Sequence, residues 1–169
     1  EVPLREPCFI ADAHLGKLAR HLRMAGFDTL WTNHWDDDAI VRIAAEQKRT
    51  ILTRDKGMLR RGDVDRGYFV RATESEAQLA EVIRALQLEA RLAPFTRCRE
   101  CNVLLEDVSR EAVLDRLPDM VRGLYTRFKR CPGCERVYWE GTHYARMKGV
   151  LERASAENSA VRPGGGRAE

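Results

Sequence analysis

Four cysteines in two close pairs, Cys98-Arg99-Glu100-Cys101 and Cys131-Pro132-Gly133-Cys134, are the residues of this chain best suited to holding a metal ion. Each C-x2-C pair can fold into a tight knuckle that presents two thiolates. Two such knuckles complete a closed tetrahedral shell for a structural Zn2+. Pro132 and Gly133 suit the turn that brings the sulfurs inward. The competing chemistry is redox exchange, which asks for one C-x2-C on a βαβ pattern rather than two in a loop-rich stretch. Cys8 lies beside an apolar run and is expected to be a core thiol, and His143 is expected outside a shell that four sulfurs already fill.

A second constellation is acidic. Asp12 ends the first predicted strand, Asp55 falls just past the third, and Asp37 begins the helix after the second. In a parallel sheet those strand ends lie along one edge, where α/β proteins bind ligands. Like charges gathered there repel one another unless a cation neutralises them, and carboxylate oxygens suit Mg2+ or Mn2+. Such an ion could activate a water and offset the charge developing on a phosphodiester. Arg54 and Lys56 flank Asp55 and could meet phosphate oxygens. Plainer roles compete: Asp37 as a helix cap, Asp12 as a turn residue, and Asp36 and Asp38 as a solvated turn, either of which could replace Asp37. His14, His21 and His34 are assigned no chemistry.

The elements that must position these groups follow from hydrophobic spacing. Residues 8–11 form a short apolar run that suits a buried strand. Over 14–25, Leu15, Leu18, Ala19, Leu22 and Ala25 recur at helical spacing, and Gly26 follows as a stop. Residues 27–32 suit a second strand, and the run Asp36-Asp37-Asp38 opens a helix bearing Ile40, Ile43 and Ala44. Residues 50–53 and 68–70 suit a third and a fourth strand. Ser75, with Gln78 three residues on, has the form of a capping box ahead of Leu79, Val82, Ile83 and Leu86. The order β-α-β-α-β-β-α predicts an α/β layer with a mostly parallel sheet over residues 1–92. After Leu88 the pattern breaks. Residues 93–153 are expected to form a small zinc ribbon ending in a helix over 143–153, and 154–169, with Pro163-Gly164-Gly165-Gly166, a disordered tail.

At 169 residues, 44% hydrophobic and 33% charged, the chain suits one sizeable soluble domain with a small appendage. No apolar run approaches the roughly 20 residues that cross a bilayer, so no membrane partner is expected. No basic–apolar leader is present, which points to the cytoplasm, and the start at Glu1 rather than Met suits a fragment. The net charge of +3 is uneven: residues 91–169 carry 15 Lys/Arg against 11 Asp/Glu, whereas 1–90 carry 14 against 15. A basic second half favours a nucleic-acid partner, and Arg97, Arg99, Arg127, Lys129 and Arg130 are its candidate phosphate contacts. Tyr138 and Trp139 are suited either to stacking on bases or to packing the ribbon.

Several of these stretches resemble the Mut7-C family. Phe9-Ile10-Ala11-Asp12 with Leu15-Gly16-Lys17-Leu18-Ala19-Arg20-His21-Leu22-Arg23 resembles its opening, and Gly26-Phe27-Asp28-Thr29 and Ile51-Leu52-Thr53-Arg54-Asp55 its next segments. Pro94-Phe95-Thr96-Arg97-Cys98 and Tyr138-Trp139-Glu140-Gly141-Thr142-His143 look like its later motifs, so the match spans roughly residues 8–150 in order. The resemblance implies a PIN-like ribonuclease fold with a C-terminal zinc ribbon, acting on or binding RNA. It implies acidic positions at Asp12, Asp37 and Asp55, with Asp28 a further match that suits a structural role. It also implies a ubiquitin-like domain upstream in many members. A fourth acidic residue, common in PIN-like nucleases, has only Asp63 and Asp65 as weak candidates. A metal-dependent ribonuclease is therefore the leading expectation, with a non-catalytic RNA-binding module or a protein-interaction adaptor as alternatives.

Overall fold

A computed structural model describes residues 6–160, with side chains to residue 156. Strands β1 (Cys8–Ala11), β2 (Asp28–Leu30), β3 (Thr50–Thr53) and β4 (Gly67–Phe69) pair in parallel in the order β2-β1-β3-β4. Parallel neighbours need crossovers, supplied here by α1 (Gly16–Met24), α2 (Asp37–Gln47) and the short α3 (Lys56–Leu59). The architecture is the expected mixed α/β layer. Within this layer α3 was invisible to periodicity, because four residues with Met58 alone buried show no helical repeat.

Successive strand residues point to opposite faces. Phe9, Ala11 and Leu52 therefore join Leu18 and Leu22 of α1, and Leu79, Val82 and Ile83 of α4 (Ser75–Ala85), in one cluster. Ile10 and Ile51 turn the other way, onto Ile40, Val41 and Ala44 of α2 and onto Met58. The last helix, α7 (Thr142–Ala160), lays Tyr144, Met147, Val150, Leu151 and Ala154 onto the first cluster. The tail expected from residue 154 is thus helical to residue 160, because Ala154 is fully buried against this core. Residues 161–169, with the glycine run, lie outside the described residues.

Between these parts, β5 (Glu106–Val108), β6 (Phe128–Arg130) and β7 (Val137–Trp139) form a three-stranded antiparallel sheet. Two short helices, α5 (Arg110–Val113) and α6 (Asp119–Arg122), lie in the connection from β5 to β6. The buried apolar centre of this ribbon is only Val113, Leu117 and Phe128.

Two helix ends show how local chemistry sets the boundaries. The expected capping box at Ser75 is not formed. Glu74 caps α4 instead, its carboxylate accepting from the N–H groups of Glu76 (3.1 Å) and Ala77 (2.9 Å), while the Gln78 amide donates to the Ala72 carbonyl. A carboxylate one residue earlier is the stronger acceptor and suits the positive end of the helix dipole. At the end of α1, Gly26 N–H donates to Arg23 O (3.0 Å) and Phe27 N–H to Leu22 O (2.9 Å), the bonding of a Schellman stop. Gly26 has φ +103°, and a Cβ there would meet the Ala93 carbonyl oxygen. Gly26→Ala is expected to cost about 1–3 kcal/mol from backbone strain alone, with more from that clash. A thermal melt should show Tm lower by at least about 2 °C, and an unchanged Tm would contradict this role of the glycine.

Candidate metal centre and carboxylate edge

The two cysteine knuckles are built alike. In the first, Cys98 N–H donates to Val103 O (2.8 Å) and Asn102 N–H to Cys98 O (3.0 Å). In the second, Cys131 N–H donates to Arg136 O (2.9 Å) and Glu135 N–H to Cys131 O (2.8 Å). Asn102 and Glu135 hold matching left-handed conformations, with φ of +65° and +63°. The four sulfurs all lie within 4.8 Å of one another, and Cys98 Sγ is 3.7 Å from Cys134 Sγ. Four Zn–S bonds of about 2.3 Å in a tetrahedron set sulfurs ~3.8 Å apart, so the donor set fits zinc. Backbone N–H groups of Cys101 (3.3 Å), Gly133 (3.3 Å) and Cys134 (3.5 Å) donate to Cys98 or Cys131 sulfurs, as thiolate ligands require. Burial, the neighbouring Cys134 thiol and the other sulfurs push Cys101 up to about 12. Cys134 goes the other way, to about 6: burial opposes the shift, but hydrogen bonds from Arg136 and the neighbouring thiols outweigh it. A cation would relieve the repulsion of bringing all four to the thiolate form. Tyr138 is committed here: its hydroxyl lies 3.1 Å from Cys98 Sγ and accepts from Arg99 N–H (3.2 Å).

The first knuckle is clasped to the edge of the parallel sheet. Asn102 Oδ1 accepts from Thr29 N–H (3.0 Å) on β2, and its Nδ2 donates to Asp28 (2.6 Å). Arg49 reaches the same carboxylate through two hydrogen bonds, 2.8 and 3.1 Å. Although burial opposes it, these bonds hold the Asp28 carboxyl below the usual carboxylate range. Asp28 is thus structural, as a strand-start position suggests. The buried Arg23 donates to Thr29 O (2.8 Å), Arg99 O (3.0 Å) and Glu100 O (3.2 Å), tying α1 to the knuckle as well.

The carboxylate edge lies where β1 and β3 end side by side and the strand order reverses. Asp12 Oδ1 accepts from Ala13 N–H (2.7 Å) and Oδ2 from the Thr53 hydroxyl (2.8 Å). The same hydroxyl accepts from Asp55 N–H (2.9 Å), so buried Thr53 couples the two aspartates. Asp55 Oδ1 in turn accepts from Gly57 N–H (2.8 Å), capping α3. Across the edge, Asp36 caps α2 by accepting from Ala39 N–H (2.8 Å), and Asp38 pairs with Arg61 (2.7 Å). That leaves Asp37 uncommitted. Slight desolvation of this exposed carboxyl, then the charges of Asp12 and Asp55, push it above the ordinary range. Arg61, the cation opposing this, is already bound to Asp38 and to Asp63 (3.0 Å). The charges of Asp12 and Asp55 therefore act on Asp37. Among the described residues, however, the cysteine tetrad is the group of metal-ligating side chains whose donors come within reach of a single ion.

Thr53 is the member of this site that the sequence conceals, its only mark being a hydroxyl at the end of an otherwise apolar strand. The predicted phosphate contacts divide. Arg54 donates to the carbonyls of Val70 (3.1 Å), Arg71 (2.6 Å) and Ala72 (2.7 Å), and Arg97 donates to Asn102 O (2.7 Å). Lys129 is buried, with its ammonium 5.0 Å from the Phe95 ring centre, and Arg127 lies over the same ring at 5.2 Å. Lys56 is exposed over Phe69, Arg99 pairs with Glu100, and Arg130 is exposed on β6. Trp139 is half-buried against the ribbon cluster.

Fold and sites together define an α/β protein with a parallel sheet, carboxylates at its switch point and a four-cysteine ribbon clasped to its edge. The model of the Mut7-C RNAse domain matches residues 7–151, and the chain belongs to that ribonuclease-type family. No curated protein matches the chain, and no solved structure does. For the ribbon, elemental analysis of protein purified without chelators is expected to find one zinc per chain. Cys98→Ser should lose that zinc and lower Tm, because a structural site contributes folding free energy directly. Full-length folded protein free of zinc would contradict the assignment.

Proposed function

We propose that the protein is a metal-dependent ribonuclease of PIN-like design, in which Asp12, Asp37 and Asp55 hold Mg2+ or Mn2+ and the zinc ribbon is structural. The observation that supports it most is the placement of Asp12 and Asp55 at the ends of two paired strands, with their charges acting on Asp37 and the opposing arginine engaged elsewhere. Mg2+ keeps several of its waters when bound, so carboxylates that do not close on one point still suit it. A cation held there supplies an activated water and positive charge for the transition state of phosphodiester hydrolysis.

The chain's own residues supply the rest. Thr53 fixes the orientation of the Asp12 carboxylate and the backbone of Asp55, which holds the two residues side by side. Exposed Lys56, beside Asp55, is suited to a phosphate oxygen of the bound strand. Arg99, Arg127 and Arg130 are the candidates on the ribbon side, while Arg54, Arg97 and Lys129 serve by shaping the backbone and core that present them. A non-catalytic RNA-binding module is the second reading, favoured by one observation: Asp63, the candidate fourth carboxylate, is bound to Arg61 instead.

Labelled single-stranded RNA incubated with the chain should be cleaved when Mn2+ is added and survive without it. Asp12→Asn and Asp55→Asn keep the hydrogen bonds from Ala13 and Gly57, so each should retain or slightly raise the parent Tm. Cleavage should fall by more than about 100-fold in either variant, with metal-free RNA affinity unchanged. Unfolding of both variants would make these aspartates structural. RNA binding by the parent without any cleavage would install the module reading.

A further inference from the structure

We propose that a continuous groove, leading from the start of α1, two residues past Asp12, to an apolar pocket beside the ribbon, is the track of a single RNA strand with one nucleobase seated in the pocket. The proposal deepens the ribonuclease reading and rests on it for the end at which cleavage occurs.

Three hollows join to form this track. The first, about 560 Å³, lies at the start of α1 and includes His14, two residues from Asp12. It shares Lys17, Arg20, Glu74 and Ser75 with the second, about 570 Å³, which extends to Arg99 and Arg146. The second shares Met24, Arg99, Glu100 and His143 with the third, about 740 Å³. Six Lys and Arg side chains line the whole against three Glu. Each glutamate has an internal partner: Glu100 pairs with Arg20 (3.5 Å) and Arg99 (3.4 Å), Glu76 pairs with Arg146, and Glu74 caps α4. Surface pairs of this kind contribute little, so phosphates can replace the carboxylates at modest cost.

The third hollow has a different character. Met120 and Leu124, 81% and 70% exposed, stand at its mouth with Tyr125 and Trp139, and Arg116 and Arg136 share the same lining. Large apolar side chains left this open beside arginines match a nucleotide, which needs a stacking face for its base and cations for its phosphate. A duplex keeps its bases stacked and cannot place one in such a pocket, so the ligand is single-stranded. From His14 to Met24 the helical path covers ~15 Å, which puts the seated base several nucleotides from the carboxylate edge. Of the ribbon cations singled out by charge alone, only Arg99 lines this track.

The test measures binding of a labelled uridine oligomer to the full chain, without added divalent metal, across a salt series. Lys17→Gln with Arg146→Gln should weaken binding about tenfold and lower the salt slope by about 0.7 per lost phosphate contact. Met120→Gln with Leu124→Gln should weaken it about tenfold with the slope unchanged, because stacking is not a counterion effect. Arg42→Gln, on the far face of the sheet, should bind like the parent. All these side chains are exposed, and an unchanged Tm checks that the variants are folded. Parent-like affinity in both double variants, or an equal loss in Arg42→Gln, would overturn the track. A parent chain that binds no RNA would overturn both proposals. Groove-dependent binding without Mn2+-dependent cleavage would support the track and remove the catalytic reading alone.

Discussion

Asp12 and Asp55 cannot move apart, because the backbone that carries them is locked. Asp12 N–H donates to Leu52 O (2.9 Å) across the β1–β3 ladder, and Thr53 bonds to both aspartates at once. Beneath them Ile10, Ala11, Leu52 and Thr53 are fully buried, so the strand ends are as fixed as the core. Asp37 is held opposite by a helix whose cap is its neighbour Asp36. The fold thus sets carboxylates at its switch point and holds the strand ends that carry them with apolar packing on both faces of the sheet. A surface without a ligand gains nothing from that arrangement, whereas one that recruits a cation gains directly.

The ribbon solves a different problem. Three buried apolar residues are too few to hold a three-stranded sheet, and the four sulfurs lie where closure on one ion would replace the missing core. Its first knuckle is also fastened to the parallel sheet, where Asn102 satisfies the Thr29 N–H at the edge strand β2. Such an edge left open would invite pairing with another chain. Phe95 and α7 enter the large core on either side of the ribbon sequence. The ribbon is therefore an insertion braced at both ends, which fixes its basic face relative to the carboxylate edge.

Much of this was legible in the amino acids. The strands at residues 8–11 and 50–53 are found where their apolar runs placed them, and the two C-x2-C pairs do converge. Asp12 and Asp55 do follow the ends of the paired strands β1 and β3, and Asp37 begins the helix after β2, the positions that the strand-end rule uses. What remained hidden depends on partners distant in sequence. Nothing near Asp28 announces Asn102, and nothing near Thr53 announces that its hydroxyl bridges two aspartates. Glu74 displaced Ser75 as a cap because acceptor strength outweighed the motif. Ala154 reads as linker composition, yet it is buried, because a small residue is what lets α7 approach its neighbours. Net charge located a basic half but not its usable cations, since ring faces and carbonyls already occupy several of them.

The central claim, that the switch-point carboxylates bind a divalent cation, is open to direct titration. Calorimetry with Mn2+ on the zinc-loaded chain, free of RNA, should show saturable binding in the parent. A variant carrying Asp12→Asn, Asp37→Asn and Asp55→Asn together, folded and retaining its zinc, should show none. Equal Mn2+ binding by that variant and the parent, or no binding by either, would contradict the account.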